Sequence, residues 1–446
     1  MKRSTRWAAL EIAVACFLAL AANAAQDLTL PDFEQWCPPT YYPQELFGID
    51  DGSPRDIAAA DMDGDGHPEI LLALHSSSGA SGSWRSRIVR IPEATYGDWS
   101  PQTLAVSEGG DEDWGVTSLQ QGFVSQIEVY DLNSDGFDDI VVMEQHESPA
   151  EDIYASELII ISGSADEDFV TTTVFLDLGF FSTAAVAIAD VDIDGAPEII
   201  VPDAIQQRIL FLAQMESGWK LAKEMPMPEW GLLPHVIEVQ DATGDGICDV
   251  VIGGFEIQES GYLKRFVLIG NGGGEFDFEW GLPLYVGWEE PTLLAISIAV
   301  GDVDQDGIPD ILATVRPDVR DGITEATQSW STTETFVVLH QDERGWFYQA
   351  EVPWLASGGP IRIEWSDFSD SGYRLLIHVP DAGLRLYEDL EESGIRDCML
   401  PRRYGRGAVV ADLDCDGDIE IAITAMDGAN STSVWLYNPP HESSAE

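Results

Sequence analysis

Residues 57–74 read IAAADMDGDGHPEILLAL, and this stretch contains the pattern that organises the rest of the chain. Its centre is a nine-residue loop with Asp at positions 1, 3 and 5, Gly at position 6 and Glu at position 9. Apolar residues stand two and four residues before the loop, and alternation resumes after it. Alternation with period two on both sides of a short loop predicts a β-hairpin.

Five further loops repeat this pattern. We call the six loops first to sixth, and they span residues 61–69, 131–139, 190–198, 241–249, 302–310 and 412–420. A degenerate copy, residues 367–375, lies between the fifth and sixth loops. The copies recur at an interval of about 59 residues, which suits a four-stranded unit and exceeds the roughly 40–50 residues of the commoner propeller repeats.

The repeated hairpins predict an all-β fold. Two further strands are expected in most units, for example 266–269 and 275–280 around a Gly-rich turn, and no long helical period is present. Four antiparallel strands repeated seven times indicate a seven-bladed β-propeller, with the Asp-rich loops between the first two strands of most blades. This propeller is expected to span residues 25–446. Residues 27–50 are expected to complete the last blade, with its outer strand at 27–37.

The loop spacing suits a hard cation. Carboxylates at positions 1, 3 and 5 converge when the backbone turns tightly, which Gly at position 6 permits, and position 9 adds another carboxylate. An all-oxygen ligand set favours Ca²⁺ over zinc or copper, so about six Ca²⁺ ions are predicted. The predicted ligands are Asp61, Asp63, Asp65 and Glu69; Asp131, Asn133, Asp135 and Asp139; Asp190, Asp192, Asp194 and Glu198; Asp241, Thr243, Asp245 and Asp249; Asp302, Asp304, Asp306 and Asp310; and Asp412, Asp414, Asp416 and Glu420.

The loops are not equivalent as predicted sites. Asn133 and Thr243 each replace one carboxylate but keep an oxygen, so weaker binding is expected in the second and fourth loops. The degenerate copy offers Asp367 with two serines and has Leu375 at position 9, so no tight ion is expected there. A helix–loop–helix calcium hand is excluded, because it needs Glu at position 12, which is apolar in all six loops. Solvated Asp-Gly turns are the alternative, and six matching loops at a regular interval argue against it.

The six loops together resemble the FG-GAP and VCBS repeats, which form seven-bladed propellers such as the integrin α-chain head. The resemblance covers about residues 50–440, and VLIGNGGGEF at 267–276 is similar to a VCBS strand and turn. Phe47-Gly48 is similar to the opening of an FG-GAP repeat, but the later Gly-Ala-Pro element of that repeat is absent or altered in every copy. The resemblance implies that Ca²⁺ is bound structurally by the six loops and stiffens the blades.

Residues 1–24 are predicted to be a cleaved signal peptide. Lys2, Arg3 and Arg6 precede an apolar run at 12–22, and Ala-Asn-Ala at 22–24 suits cleavage. The run is short for a membrane anchor of about 20 residues, and the residues before Cys16 fit a lipidation box poorly. An extracellular, cell-surface or periplasmic protein with no membrane span after cleavage is expected. A disulfide between Cys37 and Cys398 is left open.

Composition excludes several classes of function. The chain of 446 residues is 45% hydrophobic and has only 5 Cys, so it is neither disordered nor a disulfide-knit scaffold. It carries 79 acidic residues against 22 Lys and Arg, a formal net charge of -57. Because such a chain repels phosphate backbones and anionic lipids, nucleic acid and membrane surfaces are poor partners.

The expected function is that of a monomeric binding or adhesion module for a protein or glycan. Seven tryptophans recur near blade junctions and would be either sugar-stacking platforms or, as their recurrence favours, packing between blades: Trp36, Trp99, Trp114, Trp230, Trp280, Trp288 and Trp354. The alternatives are a carbohydrate-active enzyme similar to a polysaccharide lyase, or a scaffold subunit of a surface complex. The chain offers no nucleophile motif, zinc set or phosphate-cradling loop, so an enzyme is not expected.

Overall fold

The computed structural model describes most of the repeated units within one compact region, Tyr42–Pro439. The described residues are 44–49, 52–77, 84–92, 101–109, 123–148, 153–176, 178, 185–204, 206–227, 232–257, 263–270, 278–283, 292–302, 308–318, 335–342, 345–353, 362–368, 373–379, 383–387, 407–413, 420–426 and 432–437. Within these ranges the regular secondary structure is entirely β, and no helix is long and apolar enough to span a membrane.

The first half of the chain contributes strands β1 to β13. They are β1 Gln44–Ile49, β2 Ser53–Ala60, β3 Glu69–Ser77, β4 Trp84–Ile91, β5 Gln102–Gly109, β6 Phe123–Tyr130, β7 Asp139–Ser148, β8 Ile153–Ser162, β9 Val170–Leu176, β10 Ala187–Ala189, β11 Glu198–Asp203, β12 Arg208–Met215 and β13 Gly218–Pro226.

The second half contributes strands β14 to β27. They are β14 Leu232–Gln240, β15 Asp249–Ile257, β16 Leu263–Gly270, β17 Phe278–Pro283, β18 Thr292–Gly301, β19 Asp310–Asp318, β20 Thr335–Asp342, β21 Gly345–Pro353, β22 Arg362–Phe368, β23 Tyr373–Val379, β24 Gly383–Tyr387, β25 Ala408–Ala411, β26 Glu420–Met426 and β27 Thr432–Tyr437.

These strands form seven antiparallel sheets within the described ranges. Sheets 1 to 5 follow chain order, as β2–β5, β6–β9, β10–β13, β14–β17 and β18–β21. Sheet 6 has the three strands β22–β24, and sheet 7 has the order β1-β27-β26-β25. The predicted all-β architecture of four-stranded antiparallel sheets is therefore confirmed. The predicted strand 275–280 is described as β17, which begins at Phe278.

Each of the six loops connects two neighbouring strands of its sheet, and all six share one register. The residue before position 1 pairs with the residue at position 9, as Ala60 does with Glu69 and Gly301 with Asp310. The same pairing recurs at the second, third, fourth and sixth loops. The degenerate copy differs, since Phe368 pairs with Tyr373 and Asp367 lies inside strand β22. Its paired strand ends are thus closer in sequence than those of the six loops.

Apolar side chains on both faces of the inner strands pack successive sheets together. One buried cluster joins sheets 1 and 2, another joins sheets 2 and 3, and a third joins sheets 3 and 4. In the third cluster Ile200 and Phe211 of sheet 3 contact the group that includes Ile252 of sheet 4. Burying one such side chain stabilises the fold by about 1.5–3 kcal/mol. This two-sided burial explains why residues 70–74 and 140–143 are continuous apolar runs.

The two ends of the repeated region meet in sheet 7 and sheet 1. Strand β1 pairs with β27, from Gln44 opposite Leu436 to Ile49 opposite Thr432. The Thr432 hydroxyl donates a 2.7 Å hydrogen bond to the carbonyl of Gly52, and a buried cluster joins the two sheets. The described outer strand of sheet 7 is thus residues 44–49, whereas the predicted strand 27–37 lies outside the described residues.

Candidate metal centre

The first four loops are described throughout and share one backbone conformation. Gly at position 6 has a positive φ in each, between 85° and 91° for Gly66, Gly136, Gly195 and Gly246. Position 4 is also left-handed, with φ of 71° at Gly64, 59° at Ser134, 62° at Ile193 and 76° at Gly244. Position 6 was predicted from the sequence, whereas position 4 was missed because its residue types differ from loop to loop.

The carboxylate at position 1 holds each loop closed. Its Oδ2 accepts a hydrogen bond from the backbone N–H of the glycine at position 6, at 2.7–3.0 Å in the four loops. The carboxylate at position 5 accepts a hydrogen bond from the N–H at position 7 in the same loops. Each of these carboxylates is therefore tied to the backbone of its own loop.

The predicted ligands at positions 1, 3 and 5 do converge in two loops. One oxygen from each of Asp61, Asp63 and Asp65 lies within 4.8 Å of the others, and the same holds for Asp190, Asp192 and Asp194. Positions 3 and 5 are exposed in the third loop, so an ion could enter from solvent. Of the ligands predicted in the fifth and sixth loops, Asp304, Asp306, Asp414 and Asp416 lie outside the described residues.

The carboxylate at position 9 is buried and has a structural partner. It accepts a hydrogen bond from the N–H at position 2 in five loops, at 2.7–3.2 Å. Burial raises the pKa of Glu69 to about 7, of Asp139 to about 6 and of Glu198 to about 7, and backbone hydrogen bonds oppose the rise. Position 9 therefore acts first as an anchor between the loop and the second strand, a role that ligand spacing did not predict.

The oxygen donors present suit a hard cation. Oxygens are the ligands that Ca²⁺ takes, and a carboxylate that accepts one N–H bond keeps lone pairs for a metal. Buried loop oxygens without a hydrogen-bond partner among the described residues include Asp61 Oδ1 at position 1 of the first loop and Thr243 Oγ1 at position 3 of the fourth. A bound cation would satisfy such atoms, whose burial without a partner is costly.

Arg90 distinguishes the first loop. Its side chain is 1% exposed, and its guanidinium contacts the carboxylates of Asp63 at position 3 and Glu69 at position 9. The Nε–H of Arg90 donates to Glu69 Oε1 at 2.9 Å, and Nη1 lies 3.8 Å from a carboxylate oxygen of Glu167. Burial lowers the pKa of Arg90, but hydrogen bonding to Glu69 and the neighbouring carboxylates raise it above its ordinary value overall.

The first and second loops are also bonded to each other. The N–H of Asp138 donates to the carbonyl of Asp61 at 3.1 Å, and the N–H of Asp61 returns a 2.8 Å bond to Asp138 Oδ2. Gly163 lies at this junction and donates to Asp139 Oδ1 at 2.9 Å. Burial raises the pKa of Asp138, which is at position 8 of the second loop. These contacts join neighbouring sheets at the loop edge.

Several predicted features lie beyond the described residues. They include the signal peptide, both cysteines of the open Cys37–Cys398 pair, and Trp36, Trp99, Trp114, Trp230, Trp288 and Trp354. The backbone of Trp280 lies in β17. Cys248, at position 8 of the fourth loop, is a free thiol whose pKa is raised by burial and by nearby carboxylates.

Comparison with known proteins identifies one repeat type. A sequence profile of the FG-GAP-like repeat matches residues 241–313, which run from the fourth loop to the strand after the fifth. This stretch is an FG-GAP-like repeat. A search of the curated proteins finds no match to the chain.

Solved structures resemble the chain at low sequence identity. The structure of BBS1N in complex with ARL6DN has 11% identity and a TM-score of 0.48, and covers 90% of this chain and 98% of its own. The periplasmic gluconolactonase of Pseudomonas aeruginosa has 13% identity and a TM-score of 0.45, with 74% and 81% covered. The exotype rhamnogalacturonan lyase YesX has 13% identity and a TM-score of 0.44, with 89% and 75% covered. These similarities carry no argument about function.

Proposed function

We propose that this chain is an exported seven-bladed β-propeller that binds Ca²⁺ in its Asp-rich loops and serves as a binding or adhesion module for a protein or glycan. The observation that carries the proposal is the loop itself. One nine-residue conformation recurs at the same register position in successive sheets, the oxygens at positions 1, 3 and 5 converge in the first and third loops, and the chain contains an FG-GAP-like repeat.

The seven sheets would be the blades. Packing of sheet 1 on 2, 2 on 3 and 3 on 4 supports this arrangement, as does packing of sheet 7 on sheet 1. Pairing of β1 with β27 would close the ring within one chain, which supports a monomer. The oxygens at positions 1, 3 and 5 would hold Ca²⁺, whose charge offsets the mutual repulsion of the carboxylates.

Recognition is favoured over catalysis. The described titratable groups with strongly raised pKa values are Glu69, Asp139 and Glu198, and each is engaged with the backbone of its own loop. The acidic side chains at position 5 are exposed along the loop edge, at Asp65, Asp135, Asp194 and Asp245. With a net charge of -57, the chain suits a neutral or basic partner.

Thermal unfolding with and without calcium tests the proposal. Extracellular calcium modules have dissociation constants of roughly 10⁻⁴–10⁻³ M, so about 1 mM Ca²⁺ stabilises each site by ~0.4–1.4 kcal/mol. Several sites together would raise the unfolding free energy by several kcal/mol relative to excess EGTA. Bound metal should be counted by mass spectrometry on the same samples. An unchanged midpoint and no bound calcium would show that the loops are solvated turns and would overturn the calcium role.

A further inference from the structure

Arg90 occupies a position that is apolar in the five other sheets with an intact loop, whereas sheet 6, which carries the degenerate copy, has Arg385 there. Arg90 stands on β4 opposite Leu71, the second residue after position 9 of the first loop. The residues at the same register position are Ile160, Phe211, Ile269, Val338 and Leu436 in sheets 2, 3, 4, 5 and 7. Ile160 and Phe211 are buried in the clusters between sheets. In sheet 1 an arginine therefore replaces a core residue beneath a calcium-type loop.

The surroundings of Arg90 form a built site for its charge. Both oxygens of Glu69 are engaged, Oε1 by the guanidinium and Oε2 by the Met62 N–H at 2.9 Å. Asp63 Oδ2 accepts from Nη2, and Gln102 Oε1 accepts from Nη1 at 3.4 Å. The ring of Phe169, in the connection between β8 and β9, lies 5.1 Å from the guanidinium carbon. Displacement of the guanidinium would leave the buried Glu69 carboxylate without its ion pair.

We propose that the guanidinium of Arg90 is the resident cation of the first loop and excludes Ca²⁺ from it, while the other intact loops bind the ion. This inference rests on the proposed calcium-binding function. Two of the four predicted ligands of the first loop, Asp63 and Glu69, are taken by Arg90. A divalent ion at the same carboxylates would lie next to a buried positive charge, and like charges repel strongly in such surroundings. The first loop would then keep its shape without metal through its backbone hydrogen bonds to Asp61 Oδ2 and Asp65 and through the Arg90 ion pairs, and Asp61 Oδ1 would remain without a partner among the described residues.

The third loop provides the matched contrast. Its oxygens at positions 1, 3 and 5 converge as closely as those of the first loop, and Phe211 stands where Arg90 stands. Among the described residues, the hydrogen bonds and ion pairs to its predicted ligands include no Lys or Arg donor. The two loops thus offer similar oxygen clusters that differ in the presence of an internal cation.

Single substitutions at position 5 test the inference by counting calcium. Asp65 and Asp194 are exposed and lie outside the ion pairs of Arg90, and each accepts an equivalent 2.9 Å hydrogen bond from the N–H at position 7. The full chain with Asp194→Ala should lose about one bound Ca²⁺ ion, whereas Asp65→Ala should lose none. Metal is measured by mass spectrometry after equilibration with Ca²⁺, and far-UV circular dichroism checks the fold.

Arg90→Leu should create the missing site. It restores the apolar residue type of the five other sheets with an intact loop, and we expect about one additional Ca²⁺ ion per chain, which Asp65→Ala in the same background removes again. Arg90→Lys is the matched control, because it keeps a cation in the loop and should gain no ion.

The outcomes separate the inference from the function on which it rests. Loss of an ion in Asp65→Ala of the otherwise unchanged chain would overturn the inference, even if Arg90→Leu does not fold. A folded Arg90→Leu variant that gains no ion would also overturn it. A wild-type chain with no bound calcium at any loop would instead overturn the proposed function, and the inference with it.

Discussion

The first and third loops present similar acidic side chains in different electrostatic surroundings. In the first loop a buried arginine pairs with the carboxylates at positions 3 and 9, and the backbone of the second loop bonds to Asp61. In the third loop the described residues supply no such cation, and the left-handed position 4 is a β-branched residue, Ile193. The same consensus therefore produces one loop with an internal cation and one for which we propose a bound calcium ion.

We infer that charge compensation, and not ligand spacing alone, determines whether a loop requires a bound metal ion. A carboxylate removed from water needs a partner charge or good hydrogen bonds. Glu69 has both, because Arg90 supplies the partner charge and the Met62 N–H donates a hydrogen bond. Glu198 accepts a hydrogen bond from the Val191 N–H, and no basic side chain pairs with it among the described residues. Metal dependence is therefore expected to be concentrated in loops of the second kind.

Removal of the internal cation should have the largest effect. In excess EGTA near pH 8, Arg90→Leu should lower the unfolding free energy by about 3–5 kcal/mol, because breaking a buried pair leaves its partner charged and unpaired. Chemical denaturation measures this difference. Arg90→Lys keeps the charge but loses the forked hydrogen bonds, so its loss should be smaller. Equal stability of Arg90→Leu and wild type in EGTA would show that the ion pairs of Arg90 do not stabilise the first loop.

The junction that supports the first loop should be nearly as sensitive. A Cβ at residue 163 would lie 2.5 Å from the carbonyl oxygen of Asp138 and 2.7 Å from that of Met62. Because both are backbone atoms, Gly163→Ala should cost about 1–3 kcal/mol by overpacking. The loss should appear in calcium and in EGTA alike. Asp166→Ala, at an exposed position in the same turn, should change stability by less than about 0.5 kcal/mol.

The third loop should respond to pH through Glu198. Its folded pKa of about 7 lies above the ordinary value of 4.5, chiefly because of burial. In EGTA, folding favours the protonated form of Glu198. Its contribution to the unfolding free energy is therefore fully present below about pH 4.5 and decreases by about 1.4 kcal/mol per pH unit as pH rises towards 7. Glu198→Gln should flatten the fall in stability over this window. If the unfolding free energy of Glu198→Gln falls with pH as steeply as that of the wild type, Glu198 is not the group responsible for the fall.

Glu69→Gln is the matched change in the first loop. It removes the main partner of Arg90, so it should lower the unfolding free energy above pH 7 and also change how that free energy depends on pH. A Glu69→Gln variant that behaves like Glu198→Gln at high pH would indicate that Arg90 does not distinguish the two loops. Denaturation at closely spaced pH values, with EGTA throughout, measures both variants.

The sequence predicted the architecture well because its signals are local and repeated. Period-two alternation on both sides of each loop specified the hairpins, and Gly at position 6 specified the turn. The pattern failed at the degenerate copy, where Asp367 belongs to a strand and the register is tighter. Where the loop consensus is weak, the register of the paired strands determines the length of the turn. A short stretch of sequence does not reveal that register.

The site was predicted less completely because its decisive contacts are distant in sequence. Arg90 reaches Glu69 across 21 residues, and Asp138 bonds to Asp61 across 77. An arginine in the apolar strand RIVRI was the available signal for the first of these. Position 9 was predicted as a ligand, but its hydrogen bond to position 2 depends on how the loop folds onto the second strand. Ile193 gave no signal of its left-handed conformation.

Relief of strain at Ile193 should have the smallest effect. Its φ is 62°, and the left-handed conformation costs an L-residue roughly 1–2 kcal/mol. The side chain is 59% exposed, so little packing is lost on its removal. Ile193→Gly should remove this cost but add about 0.5–1 kcal/mol of unfolded-state entropy, for a net gain of about 0.5–1 kcal/mol.

Ile193→Val is the control for this change. It keeps the β-branch and the strain, so no gain is expected, and Ser134→Gly should gain less than Ile193→Gly because Ser134 is not β-branched. The midpoints should be compared in EGTA and in calcium. If the metal-free third loop already holds Ile193 in its left-handed conformation, Ile193→Gly should raise the midpoint equally in EGTA and in calcium and leave calcium affinity unchanged. A gain seen only in calcium would show that the loop reaches this conformation only with an ion bound, so that Ile193→Gly tightens calcium binding.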